Sequence, residues 1–206
     1  MIKAIFFDLD GVLTTDSKGS LTMSKNFCKE VPGLSIQEVL DCYREDAELL
    51  TSGQKPMREV WKRMCSTFNI PPDDDLLLKV LREVPRNNQM FDLAQALLRR
   101  YKLRIITDNS RERMDVLTGE MGLNDLFDPI VVSAVERASK SDGTTTIFDI
   151  ALERAGSSAE DSLFIDNQEK NLVTPARMGM KTYFHDDRKN DIAALHAALR
   201  ELGVDM

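Results

Sequence analysis

The stretch KAIFFDLDGVLTTD, residues 3–16, decides how the rest of the chain is read. A short run rich in Ile and Phe, followed by a Gly-containing loop, predicts a buried strand over residues 2–8. The run ends in two aspartates, Asp8 and Asp10, with Leu9 alone between them. Both carboxylates can approach one site if the chain leaves extended geometry directly after the strand, and Gly11 permits that turn. One could then act as nucleophile toward phosphorus while the other works as acid and base at the leaving oxygen. A polar turn closing a buried strand accounts for the same residues, so the choice between the two rests on the remainder of the chain.

Outward from this strand, residues from about 22 to 86 carry only helical signals. SIQEVLDCYREDAELLTSG (35–53) opens with Ser35 and Glu38 at capping-box spacing and places Ile36, Val39, Leu40, Tyr43, Ala47 and Leu50 on one face, which predicts a single amphipathic helix ending near Gly53. KPMREVWKRMCSTFNI (55–70) has Pro56 at a first turn, and PPDDDLLLKVLREVP (71–85) has acids at a helix start and Pro85 as its stop. Met57, Trp61, Met64 and Phe68 recur at helical spacing and read as packing.

From residue 87 helices and strands alternate: helices near 87–100, 111–122, 146–156, 169–179 and 191–202, and strands KLRIIT (102–107), PIVVS (129–133), SLFID (162–166) and KTYF (181–184). This pattern predicts an α/β fold, a parallel sheet of about five strands covered by helices on both faces. Ligands bind beyond the carboxyl ends of such strands. The first four strands end at Asp8, at Thr107, near Ser133 and at Asp166, so three ends carry groups suited to phosphate or metal. Thr107 offers a hydroxyl and an amide. Asp8 and Asp166 offer the one or two carboxylates that Mg²⁺ takes beside waters and substrate phosphate. Lys140, in the loop ASKSDG, could neutralise a phosphoryl group. Each also has a plainer reading, as strand end, helix cap or solvated loop charge.

The bulk numbers narrow the classes. A chain of 206 residues, 42% apolar and 30% charged, suits one compact core with an inserted subdomain. Its net charge of −7 is spread without a basic stripe, which argues against nucleic acid or an anionic membrane as partner. No run is long enough to span a bilayer, and an acidic motif interrupts the first apolar run where a signal peptide would need continuity, so a cytoplasmic protein is expected. Cys28, Cys42 and Cys65 read as buried free thiols, and His185 and His196 as structural. Nothing in the sequence speaks to oligomeric state.

FFDLDGVLT, IIT, the lysine of SAVERASKSDG, and FIDN resemble, in order and setting, the four motifs of the haloacid dehalogenase-like (HAD) hydrolase superfamily. The resemblance implies a Rossmann-like core (1–14 and 87–206) with a helical cap subdomain (15–86) inserted after the first motif. Gly53 and Trp61 are similar to the cap pattern of its sugar-phosphate phosphatases. It implies Asp8 as nucleophile and Mg²⁺ ligand, Asp10 as acid and base with its carbonyl on the metal, and Asp166 as second metal carboxylate. Leu9 and Gly11 would present amides to the phosphoryl group, Thr107 would bind a phosphate oxygen, and Lys140 would steady the charge.

Three departures stand out. Asp108 follows Thr107 where Asn is common, and is expected to turn its side chain away while its amide stays available. The lysine loop lacks the usual prolines. Asn167 replaces a frequent acid and could orient a water or Lys140. The expected function is a Mg²⁺-dependent phosphatase acting on a small phosphorylated metabolite through an aspartyl phosphate. The alternatives are a phosphomutase with the same residues and a non-catalytic binding protein of this fold. A dehalogenase fits less well, because a halide needs no proton from Asp10.

Overall fold

The structure is a computed structural model, and it describes residues 1–205. Five strands, β1 (Ala4–Phe7), β2 (Lys102–Thr107), β3 (Ile130–Val132), β4 (Ser162–Asp166) and β5 (Lys181–Phe184), form one parallel sheet in the order β3-β2-β1-β4-β5. Alternate side chains of the fully buried β1 serve opposite faces. Ile5 and Phe7 pack with α6 (Asn88–Leu98), α7 (Arg111–Glu120) and α11 (Ile192–Glu201), while Ala4 and Phe6 pack with α9 (Thr146–Ala155), which follows the short α8 (Ser133–Glu136). Leu172 of α10 (Glu169–Arg177) joins the second face. Successive strands are added on one side of β1 up to β3 and then on its other side from β4, so the ends of β1 and β4 flank the crevice where ligands of open α/β sheets bind.

Between β1 and α6 the chain forms α1 (Gly19–Glu30), α2 (Ile36–Arg44), α3 (Ala47–Thr51), α4 (Met57–Thr67) and α5 (Asp74–Arg82) around an apolar cluster of their own. Trp61 sits in it, edge-on to Phe27 at 5.4 Å, with its indole N–H donating to Asp73 O at 3.2 Å. Met57, Met64 and Phe68 pack there too. The two crossings between this unit and the sheet run side by side: Thr15 N–H donates to Pro85 O and Asn87 N–H to Leu13 O, both at 2.9 Å. Cys42 and Cys65 are buried and Cys28 is half-buried, all three free. No helix among the described residues is long and apolar enough to cross a membrane.

One expected helix is two. The capping box of Ser35 and Glu38 starts α2 as expected, but the chain breaks before α3 at Glu45 and Asp46. Arg63, on α4, bonds the Cys42 carbonyl near the end of α2 and the buried Asp46 carboxylate, which also accepts from Lys55 at 2.7 Å. A guanidinium that satisfies a late helical carbonyl removes the demand for another turn.

His185, after β5, is 1% exposed and its Nε2 lies 3.1 Å from Asn190 Oδ1. Burial pushes its pKa below the usual histidine value, against the opposing pull of that bond. The unfolded chain therefore takes up a proton near pH 6.5 that the folded one resists, so this contribution is retained above about pH 7 and lost as pH falls. Denaturation midpoints measured from pH 7 to pH 5 should fall less steeply in His185→Gln than in the parent.

Candidate active site

After β1 the chain turns through Leu9–Leu13, closed by Thr14 N–H donating to Leu9 O at 3.0 Å. Gly11 sits at φ +81°, and a Cβ there would lie 2.1 Å from Asn167 Nδ2, so only glycine lets the loop after β1 meet the loop after β4. The turn alters one expectation. The Leu9 N–H curls onto Asp8 Oδ1 at 2.7 Å and the Gly11 N–H onto Thr14 Oγ1 at 3.2 Å, so neither amide is open to a phosphoryl group. The Asp108 N–H, by contrast, has no partner among the described residues.

Lys140 joins the ends of β1 and β4. Its Nζ lies 2.8 Å from Asp8 Oδ1 and 2.7 Å from Asp166 Oδ2, and the residue is 1% exposed. Burial alone would favour the neutral amine, but Asp166, Asp8 and Asp108 outweigh it and hold the ammonium above the usual lysine range. Burial pushes the Asp8 carboxyl upward, opposed chiefly by Lys140 and reinforced by Asp166 and Asp10. Asp8 Oδ1 is shared by Leu9 and Lys140, while Asp8 Oδ2 has no hydrogen-bond partner among the described residues. The lysine loop is anchored without prolines: Asp108 Oδ1 accepts the Lys140 backbone N–H at 3.0 Å, and Asp142 Oδ2 accepts that of Ser139 at 2.9 Å. The Asp108 side chain is thus committed to this loop.

Asn167 does not orient Lys140. Its Nδ2 donates to Ser17 O at 3.1 Å, and its buried Oδ1 has no partner among the described residues. Sequence reading missed Asn171, in the first turn of α10, whose Nδ2 donates to both oxygens of Asp166 at 3.1 and 3.0 Å and whose Oδ1 is likewise buried and has no partner among the described residues. The donor set suits Mg²⁺ by chemistry: two carboxylates, Asp8 and Asp166, with neutral amide oxygens beside them. Asp8, Asp10, Asp108 and Asp166 against Lys140 and Arg113 leave two negative charges, which a divalent cation would neutralise. No group of three His, Cys, Asp or Glu side chains among the described residues is placed to hold a metal, so the rest of the shell would be carbonyl, water and phosphate oxygen.

Asp10 is held from α7 and the turn before it. Arg113, also missed, makes a two-pronged ion pair with Asp10, Nη1 to Oδ2 and Nη2 to Oδ1, both at 2.8 Å, and Asn109 Nδ2 donates to Oδ2 at 3.0 Å. A signal for Arg113 was present: it falls in the first turn of α7, three residues after the Ser110 cap, where the helix dipole disfavours a cation. These groups line a cavity of about 490 Å³. Thr107 reaches it from β2, and Tyr43, Ala47, Glu48 and Thr51 of α2 and α3 form its far wall, whereas Met57, Trp61, Met64 and Phe68 do not reach it. Burial pushes the Tyr43 phenol up to about 12, so it stays a neutral hydroxyl.

The same fold occurs in solved structures. A HAD-like family hydrolase from Porphyromonas gingivalis superposes with a TM-score of 0.75 at 25% identity, over 97% of this chain and 98% of that one. A HAD family enzyme from Bacteroides thetaiotaomicron, crystallised with magnesium and inorganic phosphate, shares the fold at a TM-score of 0.72 and 18% identity, covering 91% and 96%. The L-2-haloacid dehalogenase of Xanthobacter autotrophicus shares it at 0.66 and 17%, covering 88% and 76%. In sequence, a protein of Clostridium perfringens named as the pyrophosphatase PpaX is 23% identical over 197 residues, 88% of this chain and 83% of its own. With the family model for haloacid dehalogenase-like hydrolases matching residues 2–198, the chain whose first strand ends in Asp8 and Asp10 belongs to that family of hydrolases.

Proposed function

We propose that the protein is a Mg²⁺-dependent phosphatase acting on a small organic phosphate monoester, a sugar phosphate or similar metabolite. The observation that carries this reading is the Lys140 bridge between Asp8 and Asp166, which leaves Asp8 Oδ2, beside Thr107 and Asp10, without a hydrogen-bond partner among the described residues. Asp8 Oδ2 attacks phosphorus, the bond from phosphorus to the leaving oxygen breaks, and that oxygen takes a proton from Asp10, which has received it from the incoming monoester monoanion. Water then attacks the aspartyl phosphate, gives its proton to Asp10, and phosphate leaves as the bond to Asp8 breaks. Lys140 steadies the charge on the phosphoryl oxygens, and the Thr107 hydroxyl and Asp108 amide donate to them. Asp8, Asp166 and the Asp10 carbonyl would hold Mg²⁺, which supplies further neutralisation of phosphoryl charge when bound.

Residues 15–86 act in this reading as a cap over the core formed by 1–14 and 87–206, with Tyr43, Glu48 and Thr51 facing the leaving group. Asp10, clamped at the cavity, favours phosphoryl transfer over halide displacement, which needs no acid. The magnesium and phosphate bound by the Bacteroides enzyme, and the pyrophosphatase name of the Clostridium relative, support the same chemistry. The test is a phosphate-release screen over sugar phosphates, nucleotides, pyrophosphate and short phospho-acids, with and without Mg²⁺. Release from at least one monoester, abolished by chelation, is expected; no release from any of them would overturn the reading.

A further inference from the structure

We infer that Arg113 and Asn109 are the positioning pair of this site. They hold the Asp10 carboxylate in the plane in which it meets the leaving oxygen, and they turn the Thr107 hydroxyl proton toward the phosphoryl group. The inference rests on the phosphatase reading above and adds to it the residues that orient the acid.

Arg113 is 2% exposed at the start of α7, a place where both desolvation and the helix dipole oppose a cation. It is kept there by three bonds, two to Asp10 and one from Nη1 to Asn109 Oδ1 at 2.9 Å. A planar fork on a carboxylate fixes the plane of that carboxylate as well as its position, which a point charge such as Lys would not do. Asn109 fits only one way round. Its oxygen faces the Arg113 donor, so its Nδ2 must face acceptors, and it finds Asp10 Oδ2 at 3.0 Å and Thr107 Oγ1 at 3.2 Å. Because Thr107 Oγ1 accepts from Asn109, the hydroxyl proton points elsewhere, and Thr107 lines the cavity.

The back of the clamp is closed by the inserted helices. A Cβ at Gly19, the first residue of α1, would lie 2.6 Å from Arg113 Nη1 and 2.9 Å from Asp10 Oδ2. The backbone of α1 therefore lies close against the ion pair, where only a glycine fits. One network thus runs from Thr107 through Asn109 and Asp10 to Arg113, and links the group that binds phosphate with the group that serves the leaving oxygen.

The experiment compares an aryl ester, p-nitrophenyl phosphate, whose leaving group needs little protonation, with an alkyl ester, 2-phosphoglycerol. kcat and KM are measured for the parent, Arg113→Met, Arg113→Lys and Asn109→Ala at saturating Mg²⁺. A misplaced acid should lower kcat for the alkyl ester by about 100-fold or more in Arg113→Met, and for the aryl ester by less than about tenfold, with KM changed by less than about threefold. Arg113→Lys, which keeps the charge and loses the fork, should fall between parent and Met. Equal losses on the two esters, a change in KM alone, or full activity in Arg113→Met would overturn the inference. Should Arg113→Met fail to fold by circular dichroism, Asn109→Ala decides on the same alkyl-to-aryl ratio. A parent inactive on both esters and throughout the phosphate-release screen would instead remove the phosphatase reading, and the positioning pair with it.

Discussion

Asp8→Asn is expected to lower phosphate release by on the order of 10⁴-fold or more, the scale on which loss of a covalent nucleophile is measured. The amide nearly matches the carboxylate in shape, so the Leu9 N–H and Lys140 contacts at Oδ1 have an oxygen to meet, and folding should survive. What disappears is the second anionic oxygen, Asp8 Oδ2, that accepts no hydrogen bond among the described residues. Steady-state phosphate release on the best monoester from the screen checks this, with mass spectrometry of the protein to exclude reversion by deamidation. Retained activity in a variant shown to be intact Asn would mean that no aspartyl phosphate forms on Asp8.

Lys140→Met should have the other large effect, and on stability as well as on turnover. The parent places one buried ammonium between two buried carboxylates, Asp8 and Asp166, which are 3% and 0% exposed. Removing one partner of such a cluster leaves uncompensated charge in a poorly solvated place and destabilises by about 3–5 kcal/mol, far more than loss of a pair in water, where solvent takes over the charges. Urea denaturation without Mg²⁺ checks the loss. Adding Mg²⁺ should restore part of it in Lys140→Met, since a divalent cation would neutralise the same two carboxylates, while phosphate release stays abolished. A variant as stable as the parent without metal would show that the lysine does not hold this cluster together.

Much of this site is legible in the order of residues because a parallel sheet converts sequence position into place. An apolar run closed by a polar residue marks a strand and its carboxyl end, and Asp8, Thr107 and Asp166 meet because those ends lie side by side in β2, β1 and β4. Lys140 is legible as a charge in a loop but not in its place, since that loop has no periodicity; it is seated by Asp108, whose carboxylate holds the Lys140 amide. The break between α2 and α3 is not written in residues 35–53. It follows from Arg63, which arrives from another helix to satisfy the Cys42 carbonyl and Asp46.

By itself, then, the sequence determined the α/β pattern, the helical insertion and the identity of the residues at the strand ends, since these depend on local periodicity and on where apolar runs stop. The tertiary structure alone decided which groups are spent and which stay open. The amides of Leu9 and Gly11 are turned inward, Asn167 bonds to Ser17, and Asp10 is gripped by Arg113 from 103 residues away. The physical reason is common to all of them. A hydrogen bond is directional over a few tenths of an ångström, and the partners that complete it come from segments whose separation in sequence carries no information about their separation in space.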